Sequence, residues 1–249
     1  MRGDSLNGVS AFVQMLRDAS DMELAQVGTQ LRVRIVNQSG HKLPTGYPEG
    51  RRMWVNVRFL DANGTVIAER GAYDQGTATL NATDTKVYEA NDGLDQPLAA
   101  ATGLQAGPTF RVALANTRFK DNRIPPRGFA NAAFTADGCA PVGYTYADGQ
   151  YWDDTLFELP PGTRSAVATL WYQTSSREYM EFLRDNAVSD CSGPHVYDLW
   201  ARFGKSAPVD MDSATIPIVP SIMGDLNNDG VVNGADLGLL LSGWGHPGL

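Results

Sequence analysis

"RRMWVNVRFLDANGTVIAERGAYD", residues 51–74, decides the fold class. Apolar side chains fall at every second position, Met53, Val55, Val57 and Phe59, the period of a strand with one buried face. The run breaks at Asn63-Gly64, a pair suited to the positive φ of a tight turn, and resumes through Val66 and Ala68. The stretch predicts a β-hairpin.

The same period extends outward. "TQLRVRIVNQSG", 29–40, alternates Leu31, Val33 and Ile35 with Arg32 and Arg34, a half-buried strand that ends in a turn. "TKVYEA", "TFRVALA" and "SAVATLWYQT" are further strand candidates. Helical spacing places one amphipathic helix from Val9 to Leu24. A second runs through "SSREYMEFLRDNA", with Ser175 or Ser176 as its cap and Tyr179, Phe182 and Leu183 on one face. A third, "HVYDLWARFG", ends at Gly204. Phe119 to Pro161 reads as a long irregular stretch, and such stretches are functional or pinned by side-chain packing. "SATIPIVPSIMGD", with Pro217 and Pro220, reads as a stiff linker. The expected architecture is mainly β: an antiparallel β-sandwich with an N-terminal helix over 1–215, a linker over 216–222 and a small module over 223–249.

Composition narrows the function classes. The chain has 249 residues and a net charge of -8, which argues against nonspecific binding to nucleic acid or anionic membranes. Only 19% of residues are charged, while 26 Gly and 14 Pro suit a loop-rich β protein. No stretch is apolar and long enough to span a bilayer. Cys139 and Cys191 belong to no CxxC or CxxCH pattern. Beside a calcium-type loop the pair suggests one disulfide in an oxidising compartment; two unpaired buried thiols are the alternative. "MRGDSLNGVSAFVQMLRDASDMEL" lacks the apolar core of a signal peptide, so the expectation is a fragment of an exported protein, extracellular or periplasmic.

"GDLNNDGVVNGADLGLLLSGWG", 224–245, fits a calcium loop along its whole length. Asp225, Asn227 and Asp229 supply oxygens at positions 1, 3 and 5, and Gly230 sits at the sharp turn. Val231 offers a carbonyl at 7, Asn233 falls at 9 and Asp236 at 12, where Asp replaces the usual Glu. Ca2+ is the expected ligand. An apolar helix follows the loop but none precedes it. Loop-then-helix resembles one repeat of a dockerin module, which implies an EF-hand-like unit and a cohesin-like partner. Dockerins carry two repeats and this chain carries one, which puts the partner in doubt more than the cation. A single repeat cannot bury its own leucine face, so docking on the β domain, pairing with another copy and fraying are all open.

Four strings of the large domain are distinctive: "NQSGHKLPTGYPEGRRMWVNV", "KDNRIPPRGFANAAF", "YTYADGQYWDDTLFELPPG" and "SSREYMEFLRDN". Together they resemble the domain that follows the haem-binding region in exported multihaem c-type cytochromes, over roughly Leu31 to Val209. That family carries its haems on upstream CxxCH motifs. This chain has none, so the resemblance implies an exported sandwich and a cytochrome partner, with haem present only through a region outside this chain. His41, at a loop tip, is a candidate haem ligand and more often a loop anchor. Arg51 and Arg52 are candidates for a haem propionate or a substrate carboxylate, with pairing to Glu49 or nearby Asp the commoner outcome. Arg123 is expected to fasten the long loop to Asp153 or Asp154. Asp148, Asp153 and Asp154 are candidates for a second calcium, a carboxylate pair or a sugar contact, against a default of structural packing.

No nucleophile elbow, P-loop, HExxH or dinucleotide fingerprint is present, and the three histidines, His41, His195 and His246, share no ligand spacing. The expected role is a non-catalytic extracytoplasmic scaffold and docking region. The alternative is a carbohydrate-binding or polysaccharide-degrading extracellular protein.

Overall fold

The computed structural model describes residues 4–187, 189–219, 224–227 and 231–244. Helix α1 (Asp4–Arg17) ends earlier than the expected Leu24, because Met22 and Leu24 belong to strand β1 (Ser20–Val27). Their spacing of two residues around Glu23 suits a strand as well as a helix end, and pairing decides the outcome. Gly28, at φ +57, closes a two-residue turn to β2 (Gln30–Asn37), which sets Val27 opposite Gln30.

The predicted hairpin is present as β3 (Arg52–Leu60) and β4 (Val66–Arg70). Gly64 takes φ +79, and the Asp61 carboxylate accepts the Asn63 and Thr65 amides at 2.8 and 2.9 Å. The chain then makes the short pair β5 (Tyr73–Asp74) and β6 (Thr79–Leu80). Next, β7 (Val87–Tyr88) lies along β3. A separate small sheet joins β8 (Ala90–Leu94), β9 (Gly107–Pro108) and β10 (Thr117–Asp121), with helix α2 (Gln96–Thr102) between its first two strands. "TFRVALA" is not a strand. Val112 to Leu114 form a 3-10 turn with Val112 and Leu114 exposed, so its alternating pattern found no sheet partner.

The stretch from Phe119 to Pro161 is more ordered than its composition suggests. It holds helix α3 (Asn131–Ala136) and strand β11 (Trp152–Glu158). The strand was hidden because Asp153, a carboxylate, occupies one of its buried positions. Then come β12 (Ser165–Gln173), α4 (Arg177–Asn186), α5 (Ser192–Arg202), β13 (Val209–Pro217) and α6 (Gly234–Gly243). The Ser176 hydroxyl caps α4 by accepting the Tyr179 amide, and Gly204 follows α5 with φ +93. The proline-rich "linker" is in its first half the edge strand β13, paired with β12 as far as Pro217 opposite Ser165. Proline is tolerated at the end of an edge strand, where its missing N–H breaks no ladder. Residues 220–223, the rest of that linker, lie outside the described residues.

Two antiparallel sheets, β1-β2-β11 and β13-β12-β3-β4, share one apolar core. Leu31, Val33 and Ile35 of β2 meet Met53, Val55, Val57 and Phe59 of β3 and Ala166, Ala168 and Leu170 of β12, all 0% exposed. Each large side chain among them contributes about 1.5–3 kcal/mol by leaving water. Arg52, Trp54 and Asn56, on the outer face of β3, are also buried. Trp54 packs there with Leu80, Val87, Tyr73 and Trp171. A third cluster joins α4 and α5 through Met180 and Trp200. Among the described residues no helix is long and apolar enough to cross a membrane.

Candidate functional site

The four distinctive strings fold into one hydrogen-bonded assembly at the loop end of the sandwich. Asn37, the last residue of β2, is fully buried. Its Nδ2 donates to the carbonyls of His41, Ile124 and Pro125 at 2.7, 2.9 and 3.0 Å, while its Oδ1 accepts from the Ser39 amide. Leu43 and Ile124 exchange backbone bonds at 2.9 Å in both directions. The Tyr146 hydroxyl donates to the Asn122 carbonyl at 2.7 Å, and the Gly149 amide to that of Phe129. On the other side of the loop, the Ser176 amide donates to the Gly50 carbonyl, and the Tyr47 and Tyr179 hydroxyls meet at 2.8 Å.

Asp121 is the electrostatic centre of this assembly. It is 0% exposed and faces Lys42 at 2.8 Å, Arg123 at 2.7 Å and Arg118 at 3.3 Å. Burial works against its ionised form, but hydrogen bonds and charge from Arg123, then Lys42, outweigh it and hold the carboxyl below its ordinary value. Lys42 shifts down too, because burial, with the nearby charges of Arg123 and Arg118, outweighs the pull of Asp121. The two partners differ for a physical reason: the carboxylate sees three cations, whereas the ammonium shares one carboxylate with two competitors.

A second buried carboxylate, Asp153, accepts the Tyr144 hydroxyl at 2.6 Å and the Tyr88 hydroxyl at 2.9 Å, with the Lys86 ammonium 3.3 Å away. Lys86 also stands 3.5 Å over the Tyr144 ring. Burial lowers the Lys86 pKa against the pull of Asp153 and raises that of Tyr88 well above its usual value.

These contacts correct several expectations. Arg123 binds Asp121 and not Asp153 or Asp154. Asp154 is two-pronged to Arg34, its cross-strand neighbour, at 2.8 Å per bond. Adjacent residues on a strand face opposite ways, so Asp153 and Asp154 make no carboxylate pair. Asp148 holds Asn131 at the start of α3 and stands apart from both. His41, Arg51 and Arg52 do not converge either. His41 is exposed, and its carbonyl anchors the loop. Arg52 turns to the outer sheet face, bonding Gln173 at 2.9 Å and facing Glu178 at 3.5 Å. Arg51 turns the other way, donating to the Thr45 carbonyl at 2.7 Å and lying near the Tyr172 ring. The expected bridge between Cys139 and Cys191 is not made. Both are free and exposed, Cys139 just beyond α3 and Cys191 at the start of α5, so each belongs to a different helical corner.

Several hollows flank the sandwich. One, of about 650 Å³, lies between α1, the loop through Leu43 and Pro44, and the Arg51 side chain. Another, of about 330 Å³, runs over the outer face of β3 and β12, where Trp54, Trp171 and Tyr73 sit among Asn56, Arg58 and Glu69. Sequence reading missed this second grouping. Its only signal is that Trp54 and Trp171 stand at outward positions of their strands, and their direct cross-strand pairing appears only in the folded register.

Near the C-terminus, α6 has Asn233 as its cap, and the expected calcium loop falls in part outside the described residues. Asp236 is 2% exposed and gathers the loop backbone: its Oδ1 accepts from Leu226 and Asn227 at 2.7 and 3.2 Å, its Oδ2 from Asn233 at 2.8 Å. These bonds, led by that from Asn233, lower its pKa. Asp225 is also buried, and Val231 offers its carbonyl to Asn233 at 3.5 Å. Asp229 and Gly230 lie outside the described residues. Among the described residues no group of three acidic, His or Cys side chains is placed to hold a metal.

No family model matches the chain, and neither does any curated protein. Among solved structures it is similar to a penta-heme cytochrome c552 from Thermochromatium tepidum. Identity is 17% and the TM-score 0.49, over 83% of this chain and 41% of the cytochrome. The chain thus spans about two fifths of that protein's length.

Proposed function

We propose that this chain is a non-catalytic, extracytoplasmic scaffold and docking region of a multihaem-cytochrome-like protein, with a calcium-binding, dockerin-like tail. One observation carries the scaffold reading. The strings that resemble the cytochrome family spend their polar groups on one another. Asn37, Lys42, Asp121, Tyr146 and Ser176 join segments far apart in sequence and brace one end of the sandwich. A rigid loop end of that kind is suited to seating a neighbouring redox domain. The test is the coding sequence flanking residues 1 and 249. In-frame CxxCH motifs with a signal peptide upstream support the reading; a frame closed upstream without them overturns it.

The calcium reading rests on the register of Asp225, Asn227, Asp229, Val231, Asn233 and Asp236, in which each position carries an oxygen that a hard cation accepts. Burial of Asp225 and Asp236, the first and last of that register, supports it. Asp236 already draws the two ends of the loop together through backbone N–H groups, and its remaining lone pairs leave capacity for a cation. A cohesin-like partner would engage this module; a cytochrome would engage the sandwich.

A second reading, glycan binding, is favoured by the outer groove. Trp171 and Tyr73 supply ring faces beside Asn56, Arg58 and Glu69, the mixture that holds sugars by stacking and hydrogen bonding. Retention on insoluble polysaccharide that is lost in Trp171→Ala supports it, and absence of retention removes it.

A further inference from the structure

The 650 Å³ hollow beside α1 combines an apolar wall with one cation. Phe12, Met15, Leu43 and Met211 line it, and Phe12 meets Tyr172 edge-on at 6.5 Å. Phe12 and Met15 are 41% and 60% exposed, so the apolar surface opens to the outside. Among the described residues of the lining Arg51 is the one cation and Asp18 the one anion, its carboxylate accepting from Gln14 at 2.7 Å. Its guanidinium is set in place by the Thr45 carbonyl at 2.7 Å and by Gly46, where a Cβ would come within 2.4 Å of Nη1. Nη1 is thus engaged, and among the described residues Nε has no acceptor but is closed off from solvent, which leaves the outer edge of the guanidinium for a head group. A guanidinium is strongly matched to a carboxylate. Volume and lining fall in the range of small-molecule sites, which are mostly apolar with a few fixed polar groups.

We infer that this hollow binds an amphiphile with an aliphatic body and a single carboxylate, of the fatty-acid class, with Arg51 receiving the head group and the α1 face covering the chain. This goes beyond the scaffold reading and does not depend on it. The apolar wall accounts for the body. The Arg51 guanidinium favours an anionic head over a neutral one, against the Asp18 carboxylate on the same lining.

The test is titration of the full chain with dodecanoate and with dodecanol, both below their aggregation limits, by calorimetry or by displacement of a fluorescent fatty acid. One-to-one saturable binding of dodecanoate is expected. Arg51→Gln should weaken dodecanoate about tenfold while leaving dodecanol unchanged, since only the charged head is lost. Arg51→Lys should fall between the two, because it keeps the charge without the fork. Phe12→Glu, at a half-exposed position, should abolish both ligands. Circular dichroism of each variant verifies that it is folded. No saturable binding, or dodecanoate binding indifferent to Arg51 in a folded variant, overturns the inference.

Discussion

The Lys42 ammonium lies 2.8 Å from the Asp121 carboxylate, 79 residues away in the chain, and both side chains are buried. Lys42 also donates to the Cys139 carbonyl at 2.5 Å, so one ammonium ties the loop after β2 to the far ends of β10 and α3. Removing one member of a buried ion network costs more than the network itself contributes, because the charges left behind stay desolvated.

Asp121→Asn should therefore destabilise the chain by about 3–5 kcal/mol, measured as a lowered urea midpoint with unchanged slope. Three cations lose their only shared counter-charge in that variant. Asp185→Asn, which breaks an exposed pair with Arg184, should leave the midpoint where it was.

The same carboxylate sets a pH response. Its folded pKa is depressed below the ordinary 3.8, so the unfolded chain binds more protons through that window and stability rises with pH there. The contribution is complete above about pH 4 and is lost as pH falls through the folded value. Thermal melts from pH 5 to pH 2 should show a steep fall in the wild type and a shallower one in Asp121→Asn.

Gly50 should not tolerate a side chain. It sits at φ +71, and a Cβ would fall 2.5 Å from Cβ of Tyr179. Gly50→Ala should push α4 away from the loop and cost more than about 1 kcal/mol, through both backbone strain and the clash. Tyr179→Gly, which removes that Cβ, relieves only the clash, so a double variant that recovers part of the loss separates the two terms.

Both cysteines should react with a thiol reagent in the folded protein, two equivalents per chain without denaturant, since Cys139 and Cys191 are exposed and unpaired. A mass two daltons below that of the reduced chain, with no labelling, would restore the disulfide.

If the proposed calcium site is real, calcium should stabilise the segment around α6. Binding to the folded loop alone gives about 2.7 kcal/mol of added stability at a hundredfold excess over Kd, read as a rise in the melting of that segment. Asp236→Ala should lose this response and also fray α6 without calcium, because three loop amides lose their acceptor. Asp225→Ala removes a ligand of the calcium register at its other end, so calcium should raise its melting less than in the wild type.

Much of the sandwich was legible in local pattern. The hairpin from Arg52 to Arg70, strands β2 and β12, and the capped helix α4 all follow from periods of two and 3.6 with turn or cap residues at their ends. The misses share a cause. Met22 and Leu24 suit a helix or a strand, "TFRVALA" alternates without a partner, and Asp153 interrupts a strand with a buried charge. In each case the outcome turns on whether the segment finds a pairing or packing partner outside its own few residues.

What the sequence determined by itself is the β class, the main hairpin, the helix caps and the spacing of oxygen-bearing residues near the C-terminus, because each depends on neighbours within a few positions. Only the tertiary structure decided that Arg51 meets the Thr45 carbonyl and Arg52 meets Gln173. It alone sent Arg123 to Asp121 and Arg34 to Asp154, and left the two thiols apart. Which opposite charge an arginine meets is settled by strand register and loop closure, and those are set by the burial of the core and not by the charged residues themselves.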